Sequence, residues 1–312
     1  MAGMGLIYHS LPKAELHLHL EGSIQPEVLS AIAPQLTWEE IQEHYRFGDF
    51  CGFLQCFERV TRHLQAPEHY AQAARDLLAR LERENVRYAE IIHSAGIVIW
   101  RKQDPVAVFQ ALREAIQNSP VQVGWIIDAV RQFGVDHAGQ VAEFAASMAG
   151  QGVVAFGIGG DEARGPASQF AGVYRFARER GLRLTAHAGE TTGPDSVWEA
   201  LEIGAERIGH GIRSIDDPAL VRRLAEREIP LEICLTSNVA TGAVPSLGEH
   251  PLRRLFEAGV PVTLNTDDPA MFRTTLTAEY ELAERVFGFT EAELRTIADN
   301  GFRYGFQSGQ QV

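Results

Sequence analysis

Two histidines separated by one residue, His17 and His19, stand in the alternating stretch Glu15-Leu16-His17-Leu18-His19-Leu20. Strand side chains repeat their direction every second residue, so both imidazoles project to one face. A third histidine, His187, ends the apolar run that starts at Leu182, and Gly189 turns the chain to present Glu190 three positions later. Ile208-Gly209-His210-Gly211 repeats this device, and Asn265-Thr266-Asp267-Asp268-Pro269 ends a last apolar run in two carboxylates. Three imidazoles (His17, His19, His187) and the Asp267 carboxylate suit a borderline divalent cation such as zinc. A position left for water makes such a site catalytic rather than structural.

These residues lie some 250 positions apart in the chain, so the fold must gather them. Strand patterns cover Ala14–Leu20, Arg87–His93, Val121–Asp128, Val153–Ile158, Leu182–His187, Arg207–His210, Leu231–Cys234 and Val260–Asn265, each of the later seven followed by a helical segment. Asp104-Pro105 and Asp217-Pro218 read as helix starts, and Gly150, Gly181, Gly204 and Gly259 fall where helices should end. Eight β/α alternations without a linker predict one (β/α)8 TIM barrel over residues 1–312, whose strand ends share a rim. Residues of about 23–85 form a long first connection, expected to be a helical insertion. It carries Tyr45, Phe47, Phe50, Phe53 and Phe57 and could act as a lid. An open dinucleotide-binding sheet would place a glycine-rich turn after its first strand, where this chain has His-Leu-His-Leu-Glu-Gly.

Composition narrows the partners. With 28 basic and 41 acidic residues the net charge is −13, which argues against nucleic acid or an anionic membrane and leaves small molecules. Cys51, Cys56 and Cys234 are too few and too scattered for a disulfide framework or a thiolate zinc site. No apolar run approaches the roughly 18 residues of a membrane span, so the expected location is the cytoplasm. Oligomeric state is not legible.

The segments LPKAELHLHLEGS, GGDE, TAHAGET, RIGHGI, SNVATG and NTDDP together resemble the adenosine deaminase branch of the amidohydrolase superfamily. The resemblance implies a barrel with one zinc ion per chain that replaces the exocyclic amine of a 6-aminopurine with oxygen. It implies that His17, His19, His187 and Asp267 bind zinc, that Glu190 moves protons, and that His210 and Asp267 orient the attacking water. Asp268 and Gly160 would hold the purine, with Glu21 and His19 also reaching substrate. Within the branch the first motif commonly ends in aspartate, directed at a sugar 5′-hydroxyl, whereas this chain has Glu21. Adenosine is the leading expected substrate. A 5′-modified nucleoside, 6-aminodeoxyfutalosine, is the alternative, because Glu21 and the Phe47–Phe57 region could form a different distal pocket. The scarcity of basic residues near the motifs disfavours a nucleotide monophosphate, although Arg101, Lys102 and Arg164 follow strands and could reach a phosphate or carboxylate. Adenine or an N6-substituted adenine follows. A catalytically silent purine-binding barrel is opposed by the complete ligand set with Glu190. His93 and His250 have no expected part, and Glu162 is expected to brace the site.

Overall fold

The computed structural model describes residues 7–307. Its strands are β1 Lys13–His19, β2 Val86–His93, β3 Gln122–Val130, β4 Val153–Gly159, β5 Arg183–Ala188, β6 Arg207–His210, β7 Leu231–Ile233 and β8 Val262–Leu264. Every strand pairs in parallel with the next, in the order β1 to β8. Parallel neighbours require crossover connections, and a common handedness puts their helices on the outside. The (β/α)8 barrel expected from the alternation is therefore the fold.

Closure between β8 and β1 is narrow and specific. A single bridge joins Leu18 to Asp267. His19 N donates to Asp267 O at 2.8 Å, and Asp267 N donates to His17 O at 3.0 Å. Asn265 Oδ1 accepts from the backbone of Leu16 (2.8 Å) and His17 (3.2 Å). The seam that closes the barrel thus runs through three of the candidate ligands.

Local chemistry explains the helices. Asp104 and Asp217 accept from backbone N–H groups two residues on, and Thr37 and Thr290 form reciprocal caps with Glu40 and Glu293. Each such cap is worth about 1 kcal/mol. The long first connection holds helices Pro26–Ile32, Trp38–Glu43 and Phe50–Thr61 before the crossover helix Pro67–Arg83. Leu77, Leu78 and Leu81 bury one face of that last helix in the core.

The barrel interior beneath the rim is polar. Arg207 is buried with its Nε 2.5 Å from Glu232 and a terminal nitrogen 2.5 Å from Glu90. Its guanidinium lies 3.8 Å from the centre of the Phe306 ring, so the chain's last described residues close the floor.

Candidate active site

The rim gathers the predicted ligands. One donor atom each from His17, His187, His210 and Asp267 lie within 4.8 Å of one another. His19 joins them through Nε2, 3.1 Å from His187 Nε2 and 3.5 Å from Asp267 Oδ1. Asp267 Oδ1 also lies 3.4 Å from His17 Nε2, and Ser237 Oγ donates to its other oxygen at 2.6 Å. All of these groups are buried or nearly so.

Hydrogen bonds at the far sides of two rings set their tautomers. His17 Nδ1 is 2.7 Å from Glu232 Oε2, and His187 Nδ1 is 3.1 Å from Ile158 O. Both acceptors take the Nδ1 proton, which leaves each Nε2 lone pair directed at the cluster. His17 Nε2 is buried and has no hydrogen-bond partner among the described residues. Burying an unpaired polar atom is unfavourable, and a cation would satisfy it. The donors of His17, His19, His187 and Asp267 therefore fit the expected divalent ion in type, and His17 and His187 also in direction, with His19 reaching the group through its contacts to His187 and Asp267.

Glycines make room for this crowding. A Cβ on Gly209 would come within 2.7 Å of the His17 ring, and one on Gly22 within 1.6 Å of Asp268 Oδ1. Asp267 (φ 64°) and His210 (φ 61°) both hold left-handed backbone conformations, which for non-glycine residues are strained and concentrate at working sites.

Glu190 is carried on a loop that Glu162 organises. The Glu162 carboxylate accepts from the backbone N–H groups of Gly189 (2.8 Å), Glu190 (2.9 Å) and Thr191 (2.9 Å), and from the Ser196 hydroxyl (2.5 Å). Burial opposes its ionisation, but these donors outweigh burial and hold it below the usual carboxylate range. Burial first, then the charges of Asp267 and Glu162, push Glu190 well above the ordinary value. Burial and the adjoining Asp267 raise Asp268 likewise, and its buried Oδ1 has no partner. Burial lowers His210 to about 4, so that ring is neutral.

A cavity of about 600 Å³ opens over this rim. Its wall includes His19, Gly160, Glu190, His210, Asp267 and Asp268, then Phe50, Phe53 and Phe57 from the insertion, and Trp100, Arg101 and Arg164 farther out. Lys102 does not reach it. Arg101 is tied to Thr61 O at 2.5 Å, whereas Arg164 makes no ion pair or side-chain hydrogen bond among the described residues. Trp100 is 57% exposed and stacks on Phe133 at 4.4 Å between ring centres.

Glu21 is the expected substrate contact that the structure places elsewhere. It is buried against His93, with Oε1 2.9 Å from His93 Nδ1 and accepting from Ser94 N at 3.1 Å, and it forms no part of the cavity wall. The longer side chain reaches a partner behind the wall. His93, given no part from the sequence, is that partner. Asp128, Ser237 and Asn238, though within a predicted strand and the SNVATG segment, were given no individual role from the sequence. Asp128 lines the cavity, and burial pushes it up to about 8. A lone carboxylate in the apolar strand Trp125-Ile126-Ile127-Asp128-Ala129 was its available signal.

The adenosine deaminase family model matches residues 12–311. The chain belongs to the adenosine deaminase family. It is 39% identical to an aminodeoxyfutalosine deaminase of Streptomyces coelicolor, over 95% of this chain and 80% of that protein. It is 37% identical to an adenine deaminase of Rhizobium leguminosarum bv. trifolii, over 95% of each. Among solved structures, an amidohydrolase of Burkhoderia ambifaria with bound zinc superposes with a TM-score of 0.91 at 28% identity, over 99% of this chain and 89% of that one. The chain is thus a hydrolytic deaminase acting on an adenine-type substrate. Adenosine, the leading expectation from the motifs, gains no specific support from these relatives, whose names favour the alternatives. No helix among the described residues is long and apolar enough to cross a membrane.

Proposed function

We propose that this deaminase converts the 6-amino group of aminodeoxyfutalosine to a carbonyl with release of ammonia, using one zinc ion held by His17, His19, His187 and Asp267. The observation that carries the substrate reading is the cavity. At about 600 Å³ it falls in the range of roughly 300–1,000 Å³ typical of sites that enclose drug-sized ligands, far more than a free purine base fills. Aminodeoxyfutalosine is an adenine nucleoside whose 5′ carbon bears an extension ending in an aryl carboxylate. Phe50, Phe53, Phe57 and Trp100 offer apolar wall for such an extension, and Arg164 offers an uncommitted guanidinium for its carboxylate. The identity to the Streptomyces enzyme supports the same substrate.

A divalent cation bound here would supply the Lewis acidity that makes water a nucleophile near neutral pH. The chain's own groups do the rest. Glu190, whose affinity for a proton burial raises, donates to purine N1, which draws electron density from C6 and opens it to attack. His210 orients the incoming water. Asp268, whose affinity for a proton burial and Asp267 raise, donates to N7, and Gly160 holds the opposite edge of the ring. As oxygen adds to C6, one water proton passes through Glu190 to the exocyclic nitrogen, which departs as ammonia, and the remaining hydroxyl proton returns to Glu190 as the C6 carbonyl forms.

The test is ammonia release by the zinc-loaded protein on aminodeoxyfutalosine, adenosine and adenine in parallel. The expected result is a kcat/KM at least tenfold higher on aminodeoxyfutalosine. A preference for adenine or adenosine overturns the substrate reading while leaving the reaction type intact.

A further inference from the structure

Asn238 lies in the Ser237-Asn238-Val239 segment, and His250 stands twelve residues later, yet both reach the back of His210. Leu252 N donates to His250 Nδ1 at 3.1 Å. A backbone N–H can only donate, so His250 Nδ1 must accept and its proton must sit on Nε2. That Nε2–H faces Asn238 Oδ1 at 3.1 Å, which fixes the amide's orientation. Asn238 Nδ2 is then the group 3.0 Å from His210 Nδ1. His210 Nδ1 accepts, and the His210 proton is left on Nε2, which lies 3.6 Å from Glu190 Oε2 and 3.9 Å from Asp267 Oδ2. One backbone amide thus sets the direction of every hydrogen bond up to the reacting centre. His17 and His187 have the opposite arrangement, each donating from Nδ1 and leaving Nε2 bare.

We infer that Asn238 and His250 are positioning residues that hold His210 as its Nε2–H tautomer, making His210 a hydrogen-bond donor at the reacting centre and barring it from the metal's ligand set. All three side chains are buried, so water does not compete with the relay. The inference sharpens the role proposed above for His210 and rests on that reading. It also separates His210 from the other histidines that crowd within ligand distance, on proton position rather than proximity.

The discriminating substitution is Asn238→Asp. A carboxylate is nearly isosteric with the amide but cannot donate, so His210 must turn its proton to Nδ1 to keep the contact. In the zinc-loaded protein, imidazole nitrogen NMR should show His210 protonated at Nε2 in the wild type and at Nδ1 in Asn238→Asp. The kcat should fall by about 10²-fold, within the range for losing a positioned proton donor, with KM within about threefold and one zinc per chain retained. His250→Ala releases the amide orientation and should lower kcat about tenfold. Combined with Asn238→Asp it should add nothing, because both act through one proton. Multiplicative losses, or a wild-type kcat in Asn238→Asp, overturn the proposal. Should Asn238→Asp not fold, the wild-type spectrum still decides, since an Nδ1-protonated His210 overturns it. Absence of turnover in a wild type whose His210 is Nε2-protonated would instead refute the deaminase reading and leave the relay standing.

Discussion

The rim of the barrel and the mouth of the cavity are built on different physical terms. Rim side chains stand at strand ends and are buried or nearly so, and four of them have their far atoms committed: Glu232 holds His17, Ile158 O holds His187, Ser237 holds Asp267 and Asn238 holds His210. The mouth is made of buried and half-buried aromatic rings on the helix Phe50–Thr61, the exposed Trp100, and Arg164, which has no ion-pair partner among the described residues. Preorganised dipoles and fixed donors serve bond making. Adaptable apolar contacts serve discrimination among substrates. The comparison assigns reaction type to the rim and substrate choice to the mouth, and each assignment can be broken.

The largest effect should come from Glu190→Gln. Turnover on every 6-aminopurine should fall by about 10²–10⁴-fold, with zinc content unchanged by elemental analysis. A loss confined to one substrate would move Glu190 from the rim's task to the mouth's. Next is Arg207→Met on the barrel floor. It strands Glu90 and Glu232 as unpaired buried charges and should cost about 3–5 kcal/mol in denaturant unfolding. Unchanged stability would show that the floor is not tied to the rim. At the mouth, Arg164→Ala should raise KM for aminodeoxyfutalosine about tenfold, or about 1.4 kcal/mol, and leave adenine kinetics within twofold. Equal effects on both substrates would erase the division proposed between the regions.

The smallest prediction concerns pH. Burial raises Glu15 from 4.5 to about 8, although hydrogen bonds from Thr266 partly offset it. Because its folded pKa lies above the unfolded one, this contribution to stability is full below about pH 4.5 and is lost as pH rises through about 8. Glu15→Gln should therefore flatten part of the decline in Tm between pH 5 and 8. An unchanged slope would remove Glu15 from the account.

Much of the rim was legible in the chain. His17 and His19 alternate as a strand requires, and His187, Glu190 and Asp267 follow recognisable apolar runs, because strand period and turn chemistry are local. Glu21 was misread for a related reason. Its position beside a ligand motif is local information, but its partner His93 sits on the neighbouring strand, and no pattern along the chain announces that pairing. His250 was given no part because its role depends on a three-membered relay whose segments meet only after the chain folds.

What the sequence determined by itself is the alternation of eight strands with helices, the residue types able to hold a borderline cation, and the family that carries them. Periodicity and donor chemistry are properties of short segments, so they survive in one dimension. Tertiary structure alone decided which imidazole nitrogens are bare, that His210 is held through Nδ1, that Glu21 turns from the cavity to His93, and how large a cavity lies above the rim. Those outcomes depend on burial and on partners from distant strands, and proton position and empty volume exist only once those strands are side by side.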